Sequence, residues 1–239
     1  MTVKKRPGST ANRGLTVQVK TAKKRSVSSK LWLERQLNDP YVHEAKRLGY
    51  RSRAAFKLIE MDEKYHLLRR GMRVVDLGAA PGGWSQVAAT KIGSDEGKGR
   101  LVALDINEFD PLPGVQSIIL DFLDPSAPDK IIDALGGEAD LVMSDMAAPT
   151  TGHSKTDHLK IMALCEAAYE FACEVLAPGG AFLAKVFQGG TEHELLASMK
   201  RSFRTIRHVK PKASRAGSAE LYVLATGFRR QAQTQDEDE

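Results

Sequence analysis

The chain has 239 residues, of which 42% are hydrophobic, 27% charged and 6% aromatic; this is the composition of one globular domain, not of a fibrous or wholly disordered chain. Its apolar runs fall short of the roughly 18 residues a membrane span needs, its basic N-terminus lacks the apolar segment of a secretory signal, and its two cysteines cannot build a disulfide framework or a cysteine-rich zinc site, so a reducing, cytoplasmic setting is expected. The net charge of +5 is lopsided: residues 1–70 hold 18 Lys+Arg against 6 Asp+Glu, and the remainder 17 against 24, which points to a polyanionic partner met by the N-terminal part.

Residues 1–28 are rich in Lys, Arg, Ser, Thr and Gly and contain no acid; they read as a basic, disordered arm. Residues 29–230 read as one domain, opened by basic helices over 29–70, and residues 231–239, QAQTQDEDE, as an acidic, disordered tail. A helix is predicted over Ser29–Leu48, with Asp39-Pro40 breaking it or starting a second one. Another is predicted over Ser52–Tyr65, with Ser52 as its N-cap. The apolar face of that helix carries Ala55, Phe56, Leu58 and Ile59. Its other face sets Arg53 four residues from Lys57, a like-charge pair that costs a little stability and that a phosphate-rich ligand would relieve.

From Arg73 onward the pattern alternates. Short apolar runs at Arg73–Leu77, Leu101–Asp105, Val115–Ile119, Asp140–Ser144 and Gly180–Phe187 suit strands buried on both faces. Helices are predicted between them at Trp84–Ile92, Ala127–Leu135 and Thr156–Leu176, the last ended by the turn Ala177-Pro178-Gly179-Gly180. A helix near Glu192–Ser202 and strands at Phe203–Val209 and Leu221–Phe228 complete the chain. The alternation predicts an α/β fold with a parallel sheet.

Ligands of such sheets bind outside the C-terminal ends of the strands. Four strands end at or near an ionisable residue: Asp76, Asp105, Asp145 and Lys185. The first strand-to-helix turn, Asp76-Leu77-Gly78-Ala79-Ala80-Pro81-Gly82-Gly83-Trp84, is small and lets a ligand approach the backbone. It fits neither a dinucleotide G-x-G-x-x-G nor a phosphate-binding G-x-x-x-x-G-K-S/T loop. Asp105 lies where a carboxylate can accept from ribose hydroxyls. Asp121 either accepts from an adenine amino group or caps a turn. Lys185 stands within the apolar run Ala181–Phe187, where an unpaired lysine is costly. Desolvation would make it a candidate general base with Asp145 as partner; alternatively its stem packs and its head reaches water.

These segments carry a resemblance. DLGAAPGGWSQ at 76–86, VMSDMA at 142–147, LAKVFQG at 183–189, RSRAAFKL at 51–58 and the AELYVLATG segment ending at Gly227 resemble, in the right order, the FtsJ/RrmJ family of S-adenosylmethionine-dependent RNA ribose 2′-O-methyltransferases. The resemblance spans about residues 23–229. It implies a Rossmann-like domain, with a mostly parallel seven-stranded sheet whose last strand is antiparallel and with helices on both faces. It implies a catalytic set of Lys57, Asp145, Lys185 and Glu220, and S-adenosylmethionine held by Gly82, Trp84, Asp105, Asp121 and Asp145, with no metal. It further implies a monomeric, cytoplasmic enzyme that methylates a uridine ribose of 23S rRNA in the 50S subunit. Two lysines so close together favour one of them being neutral. One departure stands out: the Asn that bacterial members carry in Asp-Met-Ala-Pro-Asn is absent from Asp145-Met146-Ala147-Ala148-Pro149. A methyltransferase of another substrate, such as an mRNA cap, a transfer RNA or a small molecule (the last disfavoured by the basic segment), and a non-catalytic RNA-binding assembly factor are the competing readings.

Overall fold

A computed structural model describes residues 27–148, 151–187, 193–215 and 217–230. The arm before Val27, the tail from Gln231 on, and Pro149, where the departing loop sequence falls, lie outside the described residues.

Three helices precede the sheet: α1 (Val27–Leu37), α2 (Pro40–Leu48) and α3 (Ala55–Tyr65). Asp39-Pro40 starts the second one. The Asp39 carboxylate accepts from the Tyr41 N–H at 3.0 Å, and Pro40 sits where no N–H is needed. Gly49 closes α2 in the left-handed region (φ 76). Ser52 does not cap α3. The cap is Ala54, without a side-chain hydrogen bond, and Ser52 packs its hydroxyl against Gly83, where a Cβ would lie 2.2 Å from it. The expected repulsion between Arg53 and Lys57 is also absent, because carboxylates of this chain neutralise both. Arg53 Nε faces Asp39 at 3.2 Å, and Lys57 is buried between Asp145 and Glu220. On the apolar face, Ala55, Leu58 and Met61 are buried, while Phe56 and Ile59 are only partly so.

The rest of the domain is β1 (Arg73–Leu77), α4 (Gly83–Ile92), β2 (Arg100–Asp105), β3 (Val115–Ile119), α5 (Ala127–Leu135), β4 (Ala139–Ser144), α6 (Ser154–Val175), β5 (Leu176–Phe187), α7 (His193–Ser202), β6 (Phe203–Val209) and β7 (Glu220–Phe228). They form a seven-stranded sheet in the order β3-β2-β1-β4-β5-β7-β6. β1 to β5 pair in parallel, and β7 is antiparallel to both β5 and β6. The Rossmann-like expectation therefore holds, including its reversed last strand. One boundary differs. Ala177–Gly180 is not a turn outside the strand but a bulge within β5: Ala139 pairs with Leu176 and Leu141 with Ala181, with Gly179 in the left-handed region (φ 86) that the bulge needs. Residue Glu192, where α7 was expected to start, lies outside the described residues.

The period-two geometry of the strands divides the core. Val75, Val142, Phe182, Ala184 and Val223 face α5, α6 and α7. Val74, Leu141, Met143, Leu183 and Tyr222 face α3 and α4. Lys185, two residues on from Leu183, and its cross-strand partner Tyr222 consequently share the α3 side of the sheet. Because β7 runs backwards, its first residue, Glu220, reaches the same rim as the last residues of β4 and β5.

Candidate active site

Four ionisable side chains from four elements meet at that rim: Lys57 from α3, Asp145 just past β4, Lys185 from β5 and Glu220 from the start of β7. Lys57 Nζ lies 2.8 Å from Glu220 and 3.4 Å from Asp145. Lys185 Nζ lies 2.8 Å from the Asp145 carboxylate, donates to the Asp145 carbonyl at 2.8 Å, and is 3.6 Å from Glu220. Ser214 Oγ donates to Glu220 at 2.8 Å. The two lysines are only 8% exposed and the two carboxylates 17% and 14%. A cluster this dry persists because its charges pair. Sequence pattern alone brought Asp145 and Lys185 together; the resemblance supplied Lys57 and Glu220.

Tyr222 belongs to the same network, and nothing in the sequence singled it out. Its hydroxyl donates to Asp145 Oδ1 at 2.5 Å and accepts from Lys57 Nζ at 2.9 Å. Burial, then the charges of Asp145 and Glu220, push its phenol well above the ordinary value, so it stays a donor. A tyrosine in Leu221-Tyr222-Val223-Leu224 reads as core, and its ring is indeed fully buried against Trp84, centroids 5.6 Å apart.

Two carboxylates outweigh the mutual repulsion of the lysines. Burial opposes the charged form of Lys185, but Asp145 and Glu220 overcome it and raise its pKa above the ordinary lysine value. Of the two opposing influences on Lys185, desolvation and the neighbouring carboxylates, the carboxylates prevail, so Lys185 carries its proton as an ammonium. Burial pushes the Asp145 carboxyl up, yet Lys185 and Lys57 together hold it below the usual range.

Beside this cluster, across the ends of β1, β2 and β3, a cleft of about 680 Å³ is lined by Gly78, Asp105, Ile106, Asp121, Asp145 and Met146, among others. Asp145 is common to cleft and cluster. Asp105 Oδ2 accepts from the Ala80 N–H at 2.9 Å and Oδ1 from the Asn107 N–H at 2.8 Å. Asp121 Oδ1 accepts from the Leu123 N–H at 3.0 Å. Gly78 (φ 68) is obligatory, since a Cβ there would lie 2.2 Å from Met146 Cγ. Gly82 and Trp84 do not line the cleft. Gly82 faces Arg51, Phe109 and Leu112, and the Trp84 ring is in the core with its Nε1–H donating to the Ala54 carbonyl at 2.9 Å. What these two offer a ligand is backbone at the N-terminus of α4. Asp76 stops short of the rim: it is 1% exposed, accepts from Ser85 Oγ at 2.6 Å, and burial pushes its carboxyl up to about 7. A larger cavity, about 1030 Å³, opens elsewhere among Tyr169, Cys173, Arg201 and Arg230. It lies at the opposite rim, where β7 ends, and holds none of the clustered residues.

The cleft suits a nucleoside bearing positive charge. Carboxylates at the ends of β2, β3 and β4 offer acceptors for hydroxyls, an amino group and a cation, and the volume is that of an ordinary small-molecule site.

Comparison with known proteins agrees with this geometry. The sequence profile of the FtsJ-like methyltransferase family matches residues 50–228. The chain is 66% identical over 232 residues, 97% of both chains, to a protein of Azorhizobium caulinodans named ribosomal RNA large subunit methyltransferase E. It is 66% identical over 220 residues to a protein of the same name from Paramagnetospirillum magneticum, covering 91% of this chain and 90% of that one. Among solved structures, a ribosomal RNA methyltransferase from Plasmodium falciparum superposes with a TM-score of 0.66 at 30% identity, over 75% of this chain and 98% of that one.

Proposed function

The chain belongs to the FtsJ-like methyltransferase family, and from that membership we propose that it methylates the 2′-hydroxyl of a uridine ribose in large-subunit (23S) rRNA, with S-adenosylmethionine as donor. The observation that carries this reading is the paired cluster of Lys57, Asp145, Lys185 and Glu220 at the edge of an acidic cleft. Its substrate is the assembled 50S subunit, its setting the cytoplasm, and it acts as a monomer.

When bound, S-adenosylmethionine supplies a methyl group already activated on a sulfonium. What remains for the protein is to align a ribose hydroxyl and remove its proton. Asp105 and Asp121 would accept from the ribose and adenine of the donor, the α4 N-terminus would present backbone N–H groups through Gly82 and Trp84, and Asp145 would face the cationic end. Lys185 is the group that takes the hydroxyl proton. Asp145 orients it, Lys57 steers the hydroxyl or a neighbouring phosphate, and Glu220 balances the charge. The domain division follows the same reading: a basic arm over 1–28, the methyltransferase domain over 29–230 and an acidic tail over 231–239.

Because Lys185 is protonated in the free protein, its productive form is the minority near neutrality. kcat/KM should climb about tenfold per pH unit from 7 to 9; a flat profile would remove Lys185 as the base. The reaction itself is tested by incubating the protein with labelled S-adenosylmethionine and large subunits from a methylation-deficient strain, then digesting the RNA to nucleosides. Label in 2′-O-methyluridine is the expected result. Label in another nucleoside would overturn the substrate, and no label despite donor binding would overturn the reaction.

A further inference from the structure

Arg51 stands in the basic N-terminal segment, where it reads as one more cation for a polyanion. Its surroundings say otherwise. The Arg51 guanidinium donates to three backbone carbonyls: Nη1 to Pro81 at 3.2 Å and to Asp110, and Nη2 to Pro111 at 2.7 Å. It also lies 6.0 Å from the centroid of Phe109. Pro81 belongs to the loop between β1 and α4. Phe109 to Pro111 belong to the segment after β2, whose first residues, Ile106 and Asn107, form a wall of the acidic cleft. The backbone is strapped as well: the Arg51 N–H donates to Gln86 Oε1 at 3.0 Å, and Gln86 Nε2 donates back to the Gly49 carbonyl at 2.8 Å. The loop is shaped around this turn. A Cβ on Gly82 would come 3.0 Å from Arg51 Nη1, and one on Gly83 2.2 Å from Ser52 Oγ.

We infer that Arg51 is a positioning residue for the donor cleft and not a phosphate contact: it fixes the loop after β1 and the wall after β2 to the turn that leads into α3, and so couples donor binding to the helix that carries Lys57. Both terminal nitrogens of the guanidinium are engaged by carbonyls, and only a planar fork reaches three of them at once; a lysine ammonium, a point charge on a flexible stem, cannot. The bare backbone of Gly82 and Gly83 thus serves this joint at least as much as it serves a ligand.

The inference rests on the cleft being the S-adenosylmethionine site, and the test separates the two. Binding of S-adenosylhomocysteine, the demethylated product, would be measured calorimetrically for the wild type, Arg51→Ala, Arg51→Lys and Gln86→Ala. Binding of a large-subunit rRNA fragment would be measured in parallel between 50 and 200 mM salt. For Arg51→Ala the product Kd should rise about tenfold, and Arg51→Lys should not restore it. The RNA affinity and its log–log salt slope should stay at the wild-type value. Gln86→Ala, which leaves the guanidinium contacts in place, should weaken product binding in the same direction by a smaller factor, and it keeps the test alive if Arg51→Ala does not fold. Unchanged product affinity in Arg51→Ala, or a salt slope reduced by about one unit as expected for a lost phosphate contact, would overturn the inference. A wild type that binds no product at all would instead overturn the reading of the cleft.

Discussion

At the β4–β5–β7 end of the rim, two lysines, two carboxylates and a tyrosine hydroxyl answer one another within 2.5–3.6 Å. At the β1–β2–β3 end, Asp105 and Asp121 accept from N–H groups of the loops after β1, β2 and β3 and face an open cleft. The first region balances its own charges, so its side chains hold one another in a fixed arrangement. The second is an excess of acceptors that a cationic nucleoside would complete. Asp145 is the hinge of the comparison, since it neutralises the lysines and also lines the cleft.

Asp145→Ala should break both regions at once. It leaves two buried ammonium groups facing Glu220 alone, and stranding a buried charge costs about 3–5 kcal/mol. Urea unfolding should show that loss, together with absent turnover and weakened donor binding. Stability within 1 kcal/mol of wild type, roughly the value of a surface pair, would mean that the cluster is far wetter than the geometry indicates.

Asp76→Asn probes the acidic side. The Asp76 carboxyl titrates near 7 in the folded protein and near 3.9 when unfolded. Between those values the folded state binds the extra proton, so stability from this group is full below the unfolded pKa and declines as pH rises through about 7. The decline amounts to at most about 4 kcal/mol. The asparagine variant should therefore gain on wild type as pH is raised from 4 to 8, read from unfolding free energies at each pH. A constant difference between the two proteins would show that Asp76 is ionised throughout.

Tyr222→Phe sharpens the contrast by deleting one oxygen from the lysine–carboxylate cluster. A hydrogen bond to a charged group contributes about 1.5–3 kcal/mol, so kcat should fall roughly 10- to 100-fold while donor affinity changes little. An equal loss in both would show that the two regions share more than Asp145.

Much of this was legible because strands buried on both faces are short apolar runs, and such a run cannot hide a lysine: Lys185 stood out. Tyr222 did not, because half of a tyrosine is a core side chain and the hydroxyl leaves no trace in the pattern. Ser52 failed as a cap because a tertiary contact, its fit against Gly83, overrides local capping preference. The pair Arg53 and Lys57 looked repulsive because sequence spacing shows neighbours on one helix but not the acids that arrive from Asp39, Asp145 and Glu220. The bulge at Ala177–Gly180 read as a turn because Pro-Gly-Gly punctuates both. Gly82 and Gly83 signalled a close approach, and the Arg51–Ser52 turn is one partner that makes it.

The separation of the two regions is tested most directly by Lys185→Ala, with single-turnover methyl transfer and S-adenosylmethionine affinity measured on the same preparation. The account predicts a loss of turnover of about 10²–10⁴-fold, the range for a positioned general base, with donor Kd within about twofold of wild type. Retained turnover, or a donor affinity that collapses together with it, would contradict the assignment of Lys185 to proton removal.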